Sequence, residues 1–358
     1  MDSDYFEVII EPNRNAEAYR NYVPPDLPAL VENYIDFIEF CADGYMLLGS
    51  SNLTGRHWCG SLWYFIDPDG APDVEKCLTG MTCENGILIG EDSGTLQVLA
   101  LSESPEEHTF HFSTVATACG HDDSVLSVDV FAGEKRAVTG SADMNIKVWN
   151  TEALECEHTY RTAHTHHVTS VSAHPQENNS VFASCSLDGT VYMWDTRQTK
   201  PASVVMSSIN PQSSPSFTSV SWQPSKSGVL AIGSSIGTVT LTDTRLLKPF
   251  IQFNQFDRSI YRLRFAGHNP DLLAVCADNT QVKIFNCENG RLIYSDDRHE
   301  DFVRGLAWNP KTEQLYSCGW DKKVLVHSPS PNMNTNALLA SSAKGDDFKN
   351  ETTEGILS

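Results

Sequence analysis

From Tyr34 onward, hydrophobic and polar positions alternate in short runs, and Gly, Asp, Asn or Pro interrupts each run. Alternation with period two over such lengths predicts half-buried strands joined by tight turns. No stretch holds a helical period long enough to lay a helix over a sheet. The chain is therefore predicted to be all-β. Ahead of this pattern, residues 11–30 carry Pro12, Pro24, Pro25 and Pro28 without periodicity and read as an extended lead-in.

The runs recur. Ser61-Leu-Trp-Tyr-Phe65, Thr95-Leu-Gln-Val-Leu99, Asn145-Ile-Lys-Val-Trp149, Thr190-Val-Tyr-Met-Trp194, Thr238-Val-Thr-Leu-Thr242, Gln281-Val-Lys-Ile-Phe285 and Lys323-Val-Leu-Val-His327 superpose on their last residue. The successive spacings are 34, 50, 45, 48, 43 and 42 residues, close to the roughly 40–45 residues of a WD repeat. A second strand keeps the same period: Val168 to Pro175, Phe217 to Pro224 and Val303 to Pro310 share register and end on proline. Seven four-stranded units that cannot cover their own faces predict a seven-bladed WD-repeat β-propeller over residues 31–328. Residues 1–30 form the lead-in, within which Phe6 to Ile10 is the candidate strand for closing the ring on the last blade. Residues 329–358, poor in large apolar side chains, read as a disordered tail.

Within the repeat, His121, Thr139, Asp143 and Trp149 recur as His164, Ser184, Asp188 and Trp194. Hydroxyl, imidazole and carboxylate suggest nucleophilic catalysis. An active site has no reason to recur once per repeat, however, whereas a buried hydrogen-bonded staple between strands does. The four positions are therefore read as structural, and no catalytic residue is assigned. The last repeat keeps His299 and Asp321 and places His327 where the others carry tryptophan.

Composition narrows the partners. There are 46 Asp plus Glu against 25 Lys plus Arg, a formal charge of −21, which disfavours nucleic acid and anionic membrane and favours basic proteins. The ten cysteines never form a Cys-x-x-Cys pair and read as buried free thiols of a reducing compartment, not as a disulfide framework or zinc site. The acidic N-terminus lacks an apolar signal core, and no run reaches the ~18 apolar residues of a membrane span. A soluble protein of cytoplasm and nucleus is expected, with no metal and no cofactor. His166 and His167 beside His164, and the pairs Asp122-Asp123 and Asp296-Asp297, read as exposed surface of the connections. Trp194-Asp-Thr-Arg197, echoed at Thr242-Asp-Thr-Arg245, matches the short Trp-Asp-x-Arg box of cullin-type ubiquitin-ligase substrate receptors and supplies the alternative function.

The repeat fails to fit in the first blade. Where the other blades turn tightly, this one inserts Asn52-Leu-Thr-Gly-Arg-His-Trp58. The expectation is that Trp58 precedes the strand ending at Phe65, on the rim shared by His121 and His164, with Arg56 and His57 beside it. Trp and Arg together have the composition of an interface anchor.

The stretch from Leu47 through Gly55-Arg56-His57-Trp58 to Trp63, followed by Asp67-Pro68, resembles the first blade of the methylosome WD-repeat subunit family. Arg298-His-Glu-Asp-Phe-Val-Arg304 and Gly319-Trp-Asp321 resemble the final blade, and the similarity runs over most of residues 35–327. The resemblance implies a propeller with no catalytic activity of its own. Such a subunit partners the type II protein arginine methyltransferase, whose N-terminal barrel it docks on, and helps present Arg-rich tails of histones and Sm proteins. It also implies that Trp58 is the enzyme anchor, with Arg56 and His57 as its neighbours.

Overall fold

The computed structural model describes residues 34–54, 57–72, 87–103, 110–133, 135–175, 180–201, 203–207, 215–225 and 228–328. The lead-in, its strand from Phe6 to Ile10 and the tail at 329–358 lie outside them. The described strands form seven antiparallel sheets in which sequence neighbours pair. Blade 1 comprises Tyr34–Phe40, Met46–Thr54 and His57–Phe65. Blade 2 comprises Ile87–Gly90, Thr95–Glu103 and Phe110–Cys119. Blade 3 is built from Val125–Val130, Arg136–Ser141, Ile146–Asn150 and Glu155–Tyr160, and blade 4 from Val168–Ala173, Val181–Ser186, Thr190–Asp195 and Ser203–Ser207. Blade 5 follows with Phe217–Trp222, Val229–Ser234, Thr238–Asp243 and Lys248–Asn254. Blade 6 has Ile260–Phe265, Leu272–Ala277, Val282–Asn286 and Leu292–Asp296, and blade 7 has Val303–Trp308, Leu315–Gly319 and Val324–His327.

The fold is a seven-bladed β-propeller, as the period predicts. The seven aligned residues occupy one structural position: Phe65 pairs with Met46, Leu99 with Ile87, Trp149 with Ala137, Trp194 with Phe182, Thr242 with Leu230, Phe285 with Leu273 and His327 with Leu315.

A blade of this kind has two apolar faces, and each must be covered by a neighbour. Each seam between successive blades holds its own hydrophobic cluster. Leu47 and Tyr64 gather Ile87 and Phe112 between blades 1 and 2, and Leu96, Trp149 and Val125 fill the next seam. The seams through blades 3 to 7 follow in the same way. The ring closes where Ile35, Ile38, Met46, Leu48 and Phe65 meet Ala307, Tyr316 and Cys318 of blade 7. Polar groups reinforce that closure: Trp320 Nε1 donates to Asp36 Oδ1 at 2.9 Å, and Tyr316 donates to Asp69 Oδ1 at 3.1 Å.

The second strand of each blade carries a small residue at one register position: Gly49, Gly90, Gly140, Cys185, Gly233, Cys276 and Cys318. The next blade's inner strand explains the choice. A Cβ on Gly90 would lie 2.5 Å from Val125 Cγ1, one on Gly140 2.7 Å from Val168 Cγ1, and one on Gly233 2.6 Å from Ile260 Cγ2. Three of the cysteines are thus seam residues whose thiols are fully buried. The expectation that all the thiols are buried needs correction, because Cys119 and Cys156 are exposed. Both sit in the last strand of their blade, whose outer side faces water. Cys41, Cys119, Cys156, Cys185, Cys276, Cys287 and Cys318 are free thiols.

Overfilling a seam should cost stability. Gly233→Val is expected to destabilise by about 1–3 kcal/mol, lowering the melting temperature by about 2–4 °C per kcal/mol. Gly267→Ala, where an added Cβ meets nothing within 4 Å, is the control. Equal melting temperatures for the two variants would contradict the close seam.

Candidate functional site

The connections entering each blade and the turns between second and third strands lie on one rim. Three blades build a staple there. In blade 3, His121 Nδ1 lies 2.9 Å from Asp143 Oδ2, its Nε2 lies 2.7 Å from Thr139 Oγ1, and Trp149 Nε1 donates to the same hydroxyl at 2.9 Å. Blade 4 repeats this with His164 to Asp188 at 3.0 Å, His164 to Ser184 at 2.8 Å and Trp194 to Ser184 at 2.8 Å. In blade 7, His299 lies 2.8 Å from Asp321 and 2.7 Å from Ser317, and His327 Nε2 meets Ser317 Oγ at 2.7 Å in place of an indole. At the hydroxyl position blades 1, 2, 5 and 6 carry Leu48, Ile89, Ile232 and Val275, so an imidazole would find no partner there.

The staple carboxylates also tie the rim backbone. Asp143 accepts from the amides of Asp122 and Asn145. Burial works to raise its carboxyl, but those two amides and His121 hold it below the usual carboxylate range. Asp188 is likewise held low, by His164, Thr190 and the Thr165 amide working against burial. Burial pushes the His121 imidazole down despite Asp143. Thr139 and Ser184 are each caught between an indole donor and an imidazole, and Ser317 between two imidazoles, all three hydroxyl residues buried away from substrate. His166 and His167 are exposed, their rings 4.6 Å apart, and no group of His, Cys, Asp or Glu among the described residues could hold a metal ion.

The first-blade insertion takes a definite form. The second and third strands of blade 1 pair without interruption from Met46↔Phe65 out to Leu53↔Trp58 and Thr54↔His57. In blade 3 the equivalent pairing stops at Gly140↔Ile146, the counterpart of Gly49↔Leu62. The hairpin therefore runs five pairs further, about 16 Å at ~3.3 Å per residue. Trp58 does not precede the strand, as expected, but is its second residue. Pairing carries on through the inserted residues as far as Thr54↔His57 instead of opening into a loop after Gly49. Further along the same strand, Leu62 and Tyr64 pack toward blade 2 and Trp63 and Phe65 toward blade 7. Arg56 lies outside the described residues, and His57 and Trp58 are placed by their backbone alone.

Around this rim, Asp92, Asp122, Asp123, Asp297 and Asp301 are exposed and form no ion pair among the described residues. Phe302, in the connection into blade 7, is 37% exposed. Sequence reading missed it because it lies in a non-repetitive position between strands. Behind it, the Arg304 guanidinium stacks on Phe302, Trp320 and Tyr261 at 5.1, 4.5 and 4.3 Å and pairs with Asp278 at 2.6 Å. Asp296 departs from its expected place on the surface. It ends the fourth strand of blade 6, is 9% exposed, and accepts from Arg298, Tyr294 and His327. On the opposite rim, Arg197 and Arg245 of the two Trp-Asp-x-Arg-like boxes fold back onto Asp195 and Asp243 of their own turns.

Residues 110–314 match the family model of the nucleolar protein 10-like N-terminal domain, a β-propeller. That match begins beyond the first blade, so it reflects the shared repeat and not the hairpin. Methylosome protein WDR77 of Xenopus laevis is 31% identical over 336 residues, covering 90% of this chain and 97% of the relative. The chain belongs to the methylosome WD-repeat family. The protein valois of Drosophila melanogaster is 23% identical over 87% of the chain. WD repeat-containing protein 37 of Homo sapiens matches 61% of it at 26% identity. With 90% of the chain covered, the WDR77 match takes in the first-blade hairpin.

Two outcomes follow from the staples. Ser184→Ala strips partners from both the Trp194 indole and the His164 imidazole and is expected to cost about 1–3 kcal/mol per group left unsatisfied, read as a lower urea midpoint. Acidification should also destabilise the fold. The unfolded His121 takes up a proton near pH 6.5, while the folded one is held lower. The stability present above that pH is lost as pH falls. A melting temperature that stays flat from pH 7 to pH 5 would refute this sign.

Proposed function

We propose that this chain is a scaffold of a methylosome-like assembly, without chemistry of its own. It grips a type II protein arginine methyltransferase through the blade 1 hairpin and helps present basic, Arg-rich substrates such as histone and Sm protein tails, in cytoplasm and nucleus. The observation that carries this reading is the five-pair extension of one hairpin beyond a rim that every other blade closes tightly. It carries the backbone of His57 and Trp58 beyond that rim, which supports reading Trp58, with Arg56 and His57 beside it, as an aromatic anchor for a partner's pocket.

Other features support it. Phe302, exposed on the same rim in the adjoining blade 7, offers a second aromatic to a partner. The uncompensated carboxylates of that rim and the charge of −21 favour cationic tails and faster encounter with them. The ubiquitin-ligase reading draws no such support, because the guanidinium groups of Arg197 and Arg245 are already engaged by their own carboxylates.

Trp58→Ala should weaken retention of the methyltransferase by about 30-fold or more, the size of a ≥2 kcal/mol hot spot, with an unchanged melting temperature. The readout is co-purification of the two chains. Full retention of the enzyme by a folded Trp58→Ala variant would count against the hairpin as its grip.

A further inference from the structure

Blades 3 and 4 close their staples with matched protons. Each has three contacts, carboxylate to imidazole, imidazole to hydroxyl and hydroxyl to indole. Three protons serve them: one on the neutral imidazole, one on the hydroxyl and one on the indole. Blade 7 breaks this balance. Ser317 Oγ lies between two imidazoles, 2.7 Å from His299 Nε2 and 2.7 Å from His327 Nε2. The outer nitrogens each face a carboxylate oxygen, His299 Nδ1 at 2.8 Å from Asp321 and His327 Nδ1 at 3.0 Å from Asp296. That makes four contacts. Two neutral imidazoles and one hydroxyl supply three protons, so in the neutral state one nitrogen points a bare lone pair at an oxygen.

The geometry points to a proton-binding site in blade 7, in which His299 and His327 share one additional proton that completes the relay Asp321–His299–Ser317–His327–Asp296. The proton belongs on the imidazole pair and not on Asp296. Burial would raise that carboxyl, but Arg298, clasping it through Nε and Nη2, and the Tyr294 hydroxyl at 2.7 Å hold it ionised. Asp321 is fixed by the amides of Glu300 and Lys323. Besides these two carboxylates, the charged groups around the pair are Arg298, Lys323 and, paired to Lys323, Glu300. Burial pushes both imidazoles down, His327 to about 4 despite Asp296 and His299 despite Asp321. The proton is therefore taken up on the acid side of an ordinary histidine. Its apparent pKa belongs to the pair, not to either ring.

The proton-free state is also visible in the geometry. The Tyr294 hydroxyl lies 3.3 Å from His327 Nδ1 and can turn its proton there from Asp296, leaving the carboxylate to Arg298 alone. With the proton bound, Asp296 and His299, the two ends of the connection from blade 6 into blade 7, are pinned through one serine. Without it, the Asp296 end lets go.

The test is a pH titration of the full chain labelled with 15N in the histidine rings, with His327→Trp as comparison. In the wild type, the ring nitrogens of His299 and His327 should move together as one proton is shared. His327→Trp rebuilds the three-proton staple, and His299 should then lose that step and follow His121. Asp296→Asn, which keeps His327, should lower the shared midpoint by about 1–3 pH units. The proposal is overturned if the two rings do not titrate together anywhere in the folded range, or if His299 keeps the same step in His327→Trp.

Discussion

The closeness of neighbouring blades is the constraint on which the rest of this molecule depends. Each inner strand presses a branched residue, such as Val125, Val168 or Ile260, against the second strand of the preceding blade. That contact leaves room only for hydrogen at Gly90, Gly140 and Gly233, and the equivalent positions carry Gly49, Cys185, Cys276 and Cys318. The last seam obeys the same limit from both sides, since a Cβ on Gly305 would lie 2.4 Å from Cys318 Sγ and 2.8 Å from Ile38 Cγ2. Interiors packed to crystal-like density pass such constraints on rigidly. The angular position of every rim connection follows from these contacts.

The inner strands add a polar hoop to this apolar one. Trp222 Nε1 donates to the Ser172 carbonyl and Trp308 Nε1 to the Arg264 carbonyl, each reaching back one blade. Val171 and Val220 donate their amides to Ser127 and Ser170. Arg264 reaches forward to Glu39 of blade 1 at 2.8 Å. Side-chain hydrogen bonds thus complete what the sheet ladders leave open at the inner edge, as buried polar groups require.

Much of this was legible in the chain. The register of all seven blades follows from aligning Phe65, Leu99, Trp149, Trp194, Thr242, Phe285 and His327, because period-two patterning and turn residues are local properties. What stayed hidden depends on contacts between distant segments. Nothing near Asp296 announces that it meets His327, 31 residues on, and an acidic pair in a connection ordinarily belongs to solvent. The cysteines were read for redox chemistry when three of them answer a question of volume. The insertion at Asn52 to Trp58 was visible as a departure from the repeat, but its continuous pairing was not, because a polar stretch with glycine reads as a loop.

The length of that hairpin has an entropic meaning. A loop of the same seven residues would sample many backbone states, and a partner would have to freeze them at about 1–2 kcal/mol per residue. Pairing up to Thr54 and His57 settles most of that ordering during folding. A partner that binds this hairpin therefore meets a backbone already ordered, and more of the contact energy is available as affinity.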